Sequence, residues 1–346
     1  MKIRAIAFEA HGGPEVLRDM DVEVPDRPAP GEVRVRVEAV AFNHLDVWVR
    51  RGLPSLRLTM PHRLAADVVG LVEAHGEGAT APPPGTRVIL APGRSCGACE
   101  ACLSGRDNAC RSYHILGESI DGGTAELLDV PAANVLPYPG ELPLTEAVAV
   151  PLTFLTAWQM ADRARIERGQ TVLVHAAGSG VSVAAIQICK LRGARVIATS
   201  TSAAKLERAR ALGADETIDS TTTNFVAETR RLTGKRGADV VLDHVGGDLF
   251  EKSVLALANG GRLVTCGATA GPTPTIDLRH VFFRQLELLG STMGSKALLF
   301  PILREVARGA LKPVVDRVLP FTAEGAREAH RILEGRGAFG KLVLAR

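Results

Sequence analysis

The stretch Thr171–Gly193, TVLVHAAGSGVSVAAIQICKLRG, decides the fold of this 346-residue chain. Its pattern is typical of a buried strand, a glycine turn and a helix. Small residues in such a turn let the backbone approach a pyrophosphate, and the helix N-terminus supplies free N–H groups. Ser182 takes the place of the usual third glycine. A dinucleotide is predicted to bind at the turn residues Gly178, Ser179, Gly180 and Val181. The alternative is a turn that binds nothing.

The segments around this turn predict two kinds of domain. Residues 194–214, ARVIATSTSAAKLERARALGA, repeat the strand–helix pattern, and three more short apolar strands follow between residues 237 and 293. Alternating strands and helices predict a parallel, doubly wound sheet of the Rossmann type. The first third instead has short segments such as EVRVRVEAVAF (Glu32–Phe42), whose alternation predicts a half-buried strand. The chain is therefore expected to combine a β-rich domain with an α/β domain.

The residues after the second strand of the α/β domain bear on the type of dinucleotide. An NAD enzyme usually has an acidic residue there to accept from the ribose 2′-hydroxyl. This chain instead has Ser200, Thr201 and Ser202, followed by Lys205. Hydroxyls and a lysine suit a 2′-phosphate, so NADP(H) is predicted, with NAD(H) possible. These residues are also suited to cap the following helix.

The composition of the chain indicates which binding partners and which cellular location to expect. The formal net charge of +3 gives no reason to propose a nucleic acid or an anionic membrane as partner. No stretch approaches about 18 apolar residues without charge, and the first residues have no apolar core of signal-peptide length. A cytoplasmic location is therefore expected. A small molecule is the expected substrate.

Over its whole length the chain resembles the medium-chain dehydrogenase/reductase superfamily, the group of zinc alcohol dehydrogenases and quinone oxidoreductases. The resemblance is carried, in order, by HGGPEVL, NHLDVWVRRG, a CxxCxxCx7C lobe, LGESIDGGTAE, PLTFLTAW, the glycine turn and FGKLVL. It implies a GroES-like β-rich catalytic domain from residues 1–152 and 295–346, and a Rossmann NADP-binding domain from residues 153–294. It also implies an active site in the cleft and a homodimer or homotetramer.

The lobe at about residues 93–113 contains four of the six cysteines. Cys96, Cys99, Cys102 and Cys110 match the structural zinc lobe of the family. Four thiolates form a closed tetrahedral shell around Zn²⁺ and leave no position for substrate, so one structural zinc per subunit is predicted. An iron–sulfur cluster is the rival, but the ferredoxin run continues with x3-C-P, whereas Arg111 follows Cys110. Metal-free thiols are the third alternative.

The positions that hold a second, catalytic zinc in the alcohol dehydrogenases correspond here to Asn43, Ala66 and Leu152. An amide oxygen is a poor zinc ligand and methyl groups cannot coordinate, so no catalytic zinc is predicted. A displaced site that uses His44, His62 or Asp67 is the alternative. Without zinc to lower a hydroxyl pKa, the expected reaction is hydride transfer from NADPH to a quinone or an α,β-unsaturated carbonyl. The other possibilities are an alcohol dehydrogenase or specialised biosynthetic oxidoreductase, and a nucleotide-binding redox sensor or structural protein without turnover.

The resemblance also indicates individual site residues. The predicted catalytic residues are Asn43, Asp46, Thr156 and Tyr113. Besides the glycine turn and the residues near Lys205, the predicted cofactor contacts are His44, Thr156, Val245, Gly267, Ser291 and Lys341. Asp46 is expected mainly to order its loop. The substrate pocket is expected to be lined by residues 50–63 and by the residues that follow the segment 290–295.

Overall fold

The computed structural model describes residues 1–54 and 56–346. Ser55, in one of the predicted substrate-lining segments, lies outside the described residues. The chain divides into a first unit (Met1–Leu152, Ser295–Gly309 and Pro313–Arg346) and a second unit (Thr153–Gly294 and Ala310–Lys312). The three residues Ala310–Lys312 therefore differ from the predicted boundaries. Within the described ranges, no helix is long and apolar enough to cross a membrane.

The first unit is built mainly from β-strands. Its strands are β1 (Lys2–Phe8), β2 (Arg18–Glu23), β3 (Glu32–Phe42), β4 (His62–Arg63), β5 (Asp67–His75), β6 (Arg87–Leu90), β7 (Gly93–Arg94), β8 (His114–Ile115), β9 (Leu127–Pro131), β10 (Val135–Pro137), β17 (Val315–Pro320) and β18 (Lys341–Ala345). Its helices are α1 (His44–Arg51), α2 (Glu100–Leu103), α3 (Leu144–Ala147), α10 (Leu299–Ala307) and α11 (Ala323–Glu334).

The main sheet of the first unit has the order β10-β6-β5-β3-β18-β17, with β9 also paired to β3. Strand β3 is buried more completely than its alternating sequence predicts, because Arg34 is only 4% exposed. Its guanidinium is satisfied by both carboxylate oxygens of Asp129 at 2.8 Å. The prediction of a half-buried strand holds for Arg36, which is exposed, and for Glu32 and Glu38, which are half-buried. It fails at Arg34, since a long-range ion pair lets this charged residue face inward.

Three neighbouring strands of this sheet bring distant residues together. Antiparallel pairing places Leu342 of β18 opposite Phe42 of β3, so Lys341 lies beside Asn43. On the other side of β3, Ala41 pairs with Asp67 of β5. The end of β3 is thus flanked by the first residues of β5 and β18.

The second unit is a parallel sheet with helices. Its strands are β11 (Thr171–Val174), β12 (Arg195–Ser200), β13 (Glu216–Asp219), β14 (Ala238–Asp243), β15 (Leu257–Thr265) and β16 (Glu287–Gly290). Its helices are α4 (Pro151–Arg163), whose first two residues are assigned to the first unit, α5 (Gly180–Leu191), α6 (Ala203–Ala211), α7 (Phe225–Leu232), α8 (Asp248–Ala256) and α9 (Leu278–Phe283).

The strand order β13-β12-β11-β14-β15-β16 is that of a dinucleotide-binding fold. Strands β11, β12, β14 and β15 bury their apolar faces in a core that includes Leu173, Ile197, Val241 and Leu263. The order reverses between β11 and β14, and ligands of such sheets bind outside the carboxyl ends of the strands at this switch point. The glycine turn follows β11, and residues 244–247 follow β14.

Candidate active site

The first unit contains a buried polar cluster formed by Asn43, Asp67 and Lys341. Lys341 Nζ donates to Asp67 Oδ2 at 2.8 Å and to Asn43 Oδ1. Asn43 Nδ2 donates to the same Asp67 oxygen at 2.8 Å. The other oxygen, Asp67 Oδ1, accepts from the backbone N–H of Leu152 at 2.7 Å. Asp67 is 0% exposed and Lys341 is 3% exposed, so burial strengthens this attraction and the cluster excludes bulk water.

The cluster lies at the positions that the resemblance assigns to a catalytic zinc. Asn43, Ala66 and Leu152 offer an amide and two aliphatic side chains, which do not form a zinc shell. Both the oxygen and the nitrogen of the Asn43 amide are already hydrogen-bonded, and Asp67 is paired with the ammonium group of Lys341. A dication would have to displace that ammonium or lie beside it, and like charges repel strongly in a buried setting. The residues present therefore do not fit a zinc ion at this position.

Asp46 holds the loop around the cluster. Its Oδ2 accepts from the N–H of Asn43 at 2.7 Å, and its Oδ1 accepts from the N–H of Ala65 at 2.8 Å. The first bond is part of a capping box at the start of α1. Burial raises the pKa of Asp46 to about 6, while these two amides and the charge of Lys341 lower it. Asp46 therefore fixes the backbone at Asn43 and Ala65, and a catalytic role for it stays a prediction.

His44 and Tyr113 lie apart from the hydrogen bonds of this cluster. His44 is the first residue of α1, and its ring packs edge-on against Trp48 with centroids 5.2 Å apart. Burial and the neighbouring Arg51 and Arg336 lower its pKa.

Tyr113 packs against Gly93, where an added Cβ would lie 2.0 Å from the phenolic oxygen. Burial, Asp107 and Glu118 raise the pKa of Tyr113. Its role as proton donor stays a prediction.

The second unit brings the predicted dinucleotide contacts to the switch point of its sheet. Ser179 is the N-cap of α5 and accepts from the N–H of Ser182 at 3.1 Å. Gly178 is covered by Lys205, because an added Cβ there would lie 2.6 Å from Lys205 Cδ and 3.2 Å from Nζ. A lysine thus reaches the glycine turn, where the helix N-terminus already favours an anion.

The serines after β12 have local partners. Ser200 Oγ accepts from the N–H of Ser202 at 3.2 Å. Ser202 is the N-cap residue of α6 and makes no side-chain capping bond. Thr201 is exposed. The hydroxyl of Ser200 therefore orders the turn, and Lys205 follows in the first turn of α6.

The remaining predicted cofactor residues follow strands β14, β15 and β16 or lie on α4. The N–H of Val245 donates to Asp243 Oδ1 at 2.7 Å, and the carbonyl of Gly267 accepts from Thr265 Oγ1 at 3.2 Å. Ser291 has a buried hydroxyl that lacks a hydrogen-bond partner within the described residues. Thr156 Oγ1 on α4 contacts Met293 Sδ at 4.0 Å. An orphaned hydroxyl at the end of a strand is a feature that a bound polar group would satisfy.

The four lobe cysteines converge on one point. The Sγ atoms of Cys96, Cys99, Cys102 and Cys110 all lie within 4.8 Å of one another. Sulfurs at the corners of a tetrahedron around zinc would be about 3.8 Å apart, given Zn–S bonds of about 2.3 Å. The N–H groups of Ala98 and Cys99 lower the pKa of the Cys96 thiol to about 6, whereas the neighbouring thiols and burial raise the pKa of Cys99 to about 11. The donor set and its spacing fit one tetrahedral zinc ion.

The other two cysteines do not belong to a group of metal-ligating side chains within residues 1–54 and 56–346. Cys189 on α5 is fully buried and Cys266 follows β15. Burial raises the pKa of each thiol to about 12. Both thiols are therefore protonated and unreactive at neutral pH.

Two site features are absent from the sequence-based prediction. One is the pairing of Lys341 with Asp67, whose only sequence signal is the acidic residue directly after Ala66. The other is His244, whose Nε2 lies 2.9 Å from Ser179 Oγ and 2.8 Å from Ser182 Oγ. A histidine directly after β14, at the switch point, was the signal that could have found it.

Comparisons with known proteins agree with this architecture. Residues 29–140 match the family model of the alcohol dehydrogenase GroES-like domain, and residues 180–308 match that of the zinc-binding dehydrogenases. A crystal structure described as an NAD-dependent alcohol dehydrogenase is 56% identical, with a TM-score of 0.95 and 99% of each chain covered. Acryloyl-coenzyme A reductase of Metallosphaera sedula is 31% identical over 99% of each chain. Human quinone oxidoreductase is 26% identical over 99% of this chain and 97% of its own. The predicted fold class, a GroES-like domain with a Rossmann domain, is confirmed.

Proposed function

This chain belongs to the medium-chain dehydrogenase/reductase superfamily and is an NAD(P)-dependent oxidoreductase; from that premise we propose that it transfers hydride from NADPH to a quinone or an α,β-unsaturated carbonyl without a catalytic zinc. The observation that carries the proposal is the buried ammonium of Lys341, held by Asp67 and Asn43. It supplies a positive charge at the position that zinc occupies in the alcohol dehydrogenases.

Lys341 has the hydrogen-bonding capacity for this role. An ammonium group has three N–H donors, and two of them are used by Asn43 Oδ1 and Asp67 Oδ2. Among the described residues no partner takes the third, which is free to donate to a substrate oxygen. Asp67 and Asn43 fix the direction of the other two donors, so the third is preorganised. A donor that is fixed before the reaction stabilises developing negative charge without reorganisation.

The reaction follows from this electrostatic arrangement. NADPH, held by Gly178, Ser179 and Gly180 of the glycine turn, would supply the hydride for the β-carbon of the acceptor. The electron pair of the carbon–carbon double bond moves toward the carbonyl oxygen, and negative charge develops there. Lys341 stabilises that charge by hydrogen bonding and by its own charge. A proton from water then completes the saturated carbonyl product.

An NAD-dependent alcohol dehydrogenase is the second candidate. It is supported by the 56% identical structure that carries this description. Alcohol oxidation needs a group that lowers the pKa of the hydroxyl, and zinc is the usual means. The mismatch between a zinc shell and the residues Asn43, Ala66 and Leu152 supports the reductase instead. Acryloyl-coenzyme A reductase, which is named for reducing an α,β-unsaturated acyl thioester, supports it as well.

Metal content and substrate range separate the two candidates. The purified chain is assayed by mass spectrometry for zinc, and then with a panel of quinones, enones and primary and secondary alcohols. The reductase is expected to hold about one zinc per chain, in the cysteine lobe, and to oxidise NADPH with quinones or enones. About two zincs per chain together with NAD-dependent oxidation of an alcohol would overturn the proposal.

The preference for NADPH rests on Lys205 and on the lack of an acidic residue after β12. Lys205 Nζ lies near the glycine turn, and Ser200 and Thr201 carry no charge that repels a 2′-phosphate. We expect Lys205→Glu to weaken the binding of NADPH at least tenfold more than that of NADH, because the new carboxylate repels the additional 2′-phosphate as well as the pyrophosphate that both cofactors share. Lys205→Gln is the control that removes the charge without reversing it. Equal losses for the two cofactors would refute the assignment.

A structural zinc in the lobe and a homo-oligomer complete the proposal. The zinc is supported by the four converging thiols.

A homodimer or homotetramer is supported by β16, which ends the order of the parallel sheet, and by α9, on which Phe282 and Phe283 are exposed. A second copy would cover this edge and these rings. Light scattering of Phe283→Asp is expected to show monomers, and an unchanged oligomer would reject this surface.

A further inference from the structure

His244 links the loop after β14 to the glycine turn after β11. Its Nε2 lies 2.9 Å from Ser179 Oγ and 2.8 Å from Ser182 Oγ. Strands β11 and β14 are neighbours, with Val174 opposite Leu242. The contact therefore spans the switch point of the sheet, where the dinucleotide binds.

The direction of these hydrogen bonds follows from Ser182. Its hydroxyl donates to the backbone carbonyl of His175 at 2.6 Å. A carbonyl oxygen can only accept, and a serine has a single hydroxyl hydrogen. Ser182 Oγ must therefore accept from His244, and Nε2 of His244 must carry a hydrogen.

The ring of His175 has its own partners and does not compete for this hydrogen. Ser253 Oγ donates to the carbonyl of Leu249 at 2.8 Å, so it accepts from Nε2 of His175 at 2.9 Å. Nδ1 of His175 then accepts from Thr199 Oγ1 at 3.0 Å. Burial lowers the pKa of His175 to about 4, so the ring is neutral at neutral pH and this pattern is fixed.

Ser179 consequently keeps a hydrogen to donate. Its oxygen accepts from the N–H of Ser182 at 3.1 Å and lies within reach of the Nε2–H of His244. Its own hydrogen can turn to Ser182 Oγ at 3.2 Å, which already accepts from His244, or to a ligand. Pyrophosphate oxygens only accept, and they bind beside a helix N-cap.

We propose that His244 is a positioning residue for the dinucleotide, and that it holds Ser182 and Ser179 so that the Ser179 hydroxyl donates to a pyrophosphate oxygen. The proposal gives a role to Ser182, which lies in the first turn of α5. Ser182 connects His244 to the backbone of His175. The inference goes beyond the proposed function, because it holds whichever carbonyl or alcohol is the substrate.

The test uses ligands that differ in the pyrophosphate. Dissociation constants of the full chain for NADPH, NADH, ADP-ribose and adenosine are measured by calorimetry. His244→Leu and Ser179→Ala are each expected to weaken the binding of the three pyrophosphate ligands about tenfold. This is the size of the effect expected from one lost hydrogen bond to a charged group. Adenosine, which lacks phosphate, is expected to change less than twofold. His244→Gln keeps an N–H donor near Nε2 and is expected to restore most of the affinity.

A double-mutant cycle distinguishes positioning from general support. Because His244 acts through Ser179, the double variant His244→Leu/Ser179→Ala is expected to bind ADP-ribose no more weakly than Ser179→Ala alone. Additive losses, or an equal loss for adenosine, would overturn the proposal. Nitrogen NMR of the wild-type protein gives a readout that does not depend on any variant folding. A protonated Nε2 on His244 at neutral pH is expected, and a bare Nε2 would be equally decisive against the inference.

Discussion

Two polar clusters of the first unit resemble each other in outline and differ in how they are held together. The lobe cluster consists of four thiols that approach one another within 4.8 Å. The other cluster consists of Asn43, Asp67 and Lys341, which are joined by hydrogen bonds. The thiols need a cation from outside to offset their charge as thiolates. The second cluster has its own cation, the Lys341 ammonium.

This difference reflects where each cluster lies. The lobe has little apolar core of its own, since Cys96 and the helix α2 are at least partly exposed and Leu103 is 77% exposed. A metal can fix such a segment by binding energy alone. Asp67 and Lys341 lie inside a sheet, where neighbouring strands already fix their positions. We infer that the lobe depends on zinc for its structure, while the second cluster depends on an internal ion pair.

The first test of this comparison is a substitution in the lobe. Cys110→Ser removes one of four thiolates, and we expect the bound zinc to fall well below one per chain. Loss of the metal should lower the free energy of unfolding by roughly 3 kcal/mol or more and the Tm by about 4 °C or more. Cys189→Ser, a buried thiol outside the lobe, is the control and should retain the zinc. Unchanged zinc content and Tm in Cys110→Ser would show that the lobe does not need metal.

The second cluster gives an effect of similar size on stability, together with an effect on turnover. Lys341→Met leaves the carboxylate of Asp67, 0% exposed, without its cation, which should cost roughly 3–5 kcal/mol of unfolding free energy. Turnover should fall at least about 100-fold, because a preorganised donor to the substrate oxygen is lost. Urea unfolding and steady-state kinetics measure the two effects.

A double variant separates these two roles of Lys341. Asp67→Asn/Lys341→Met contains no buried charge in the cluster and should regain much of the lost stability. Its turnover should remain as low as that of Lys341→Met. Turnover that recovers together with stability would show that Lys341 supports the fold and does not act on the substrate.

The sequence predicts much of this fold because its signals are local. The glycine turn, the apolar strands and the spacing of the cysteines lie within short segments, and each has a physical reason that needs no knowledge of distant residues. The order of the motifs along the chain then indicates the two domains. The error at Arg34 has the opposite origin. Its partner Asp129 is 95 residues away, so the alternation of β3 alone predicts an exposed arginine.

The candidate site is predicted less completely, because its contacts are made by topology. Lys341 and Asp67 are 274 residues apart and meet because β5 and β18 both pair with β3. The resemblance indicates Asn43, Ala66 and Leu152 as the positions that hold zinc ligands in the alcohol dehydrogenases, but it gives no signal for the pairing of Lys341 with Asp67. His244 is 65 residues from Ser179, and only the strand order brings them together.

The smallest effect concerns pH and Asp46, which supports the loop of the ion-pair cluster. Burial raises its pKa to about 6 in the folded protein, against about 3.9 in an unfolded chain. The folded state therefore binds more protons between about pH 4 and pH 6, so this group makes the protein more stable as the pH falls through that interval and less stable above pH 6. We expect a difference on the order of 2 kcal/mol between wild type and Asp46→Asn to develop across this window. Urea unfolding of both proteins from pH 4 to pH 8 measures it. Parallel curves would show that Asp46 titrates as an ordinary carboxyl, and that its two amide donors and the charge of Lys341 offset its burial.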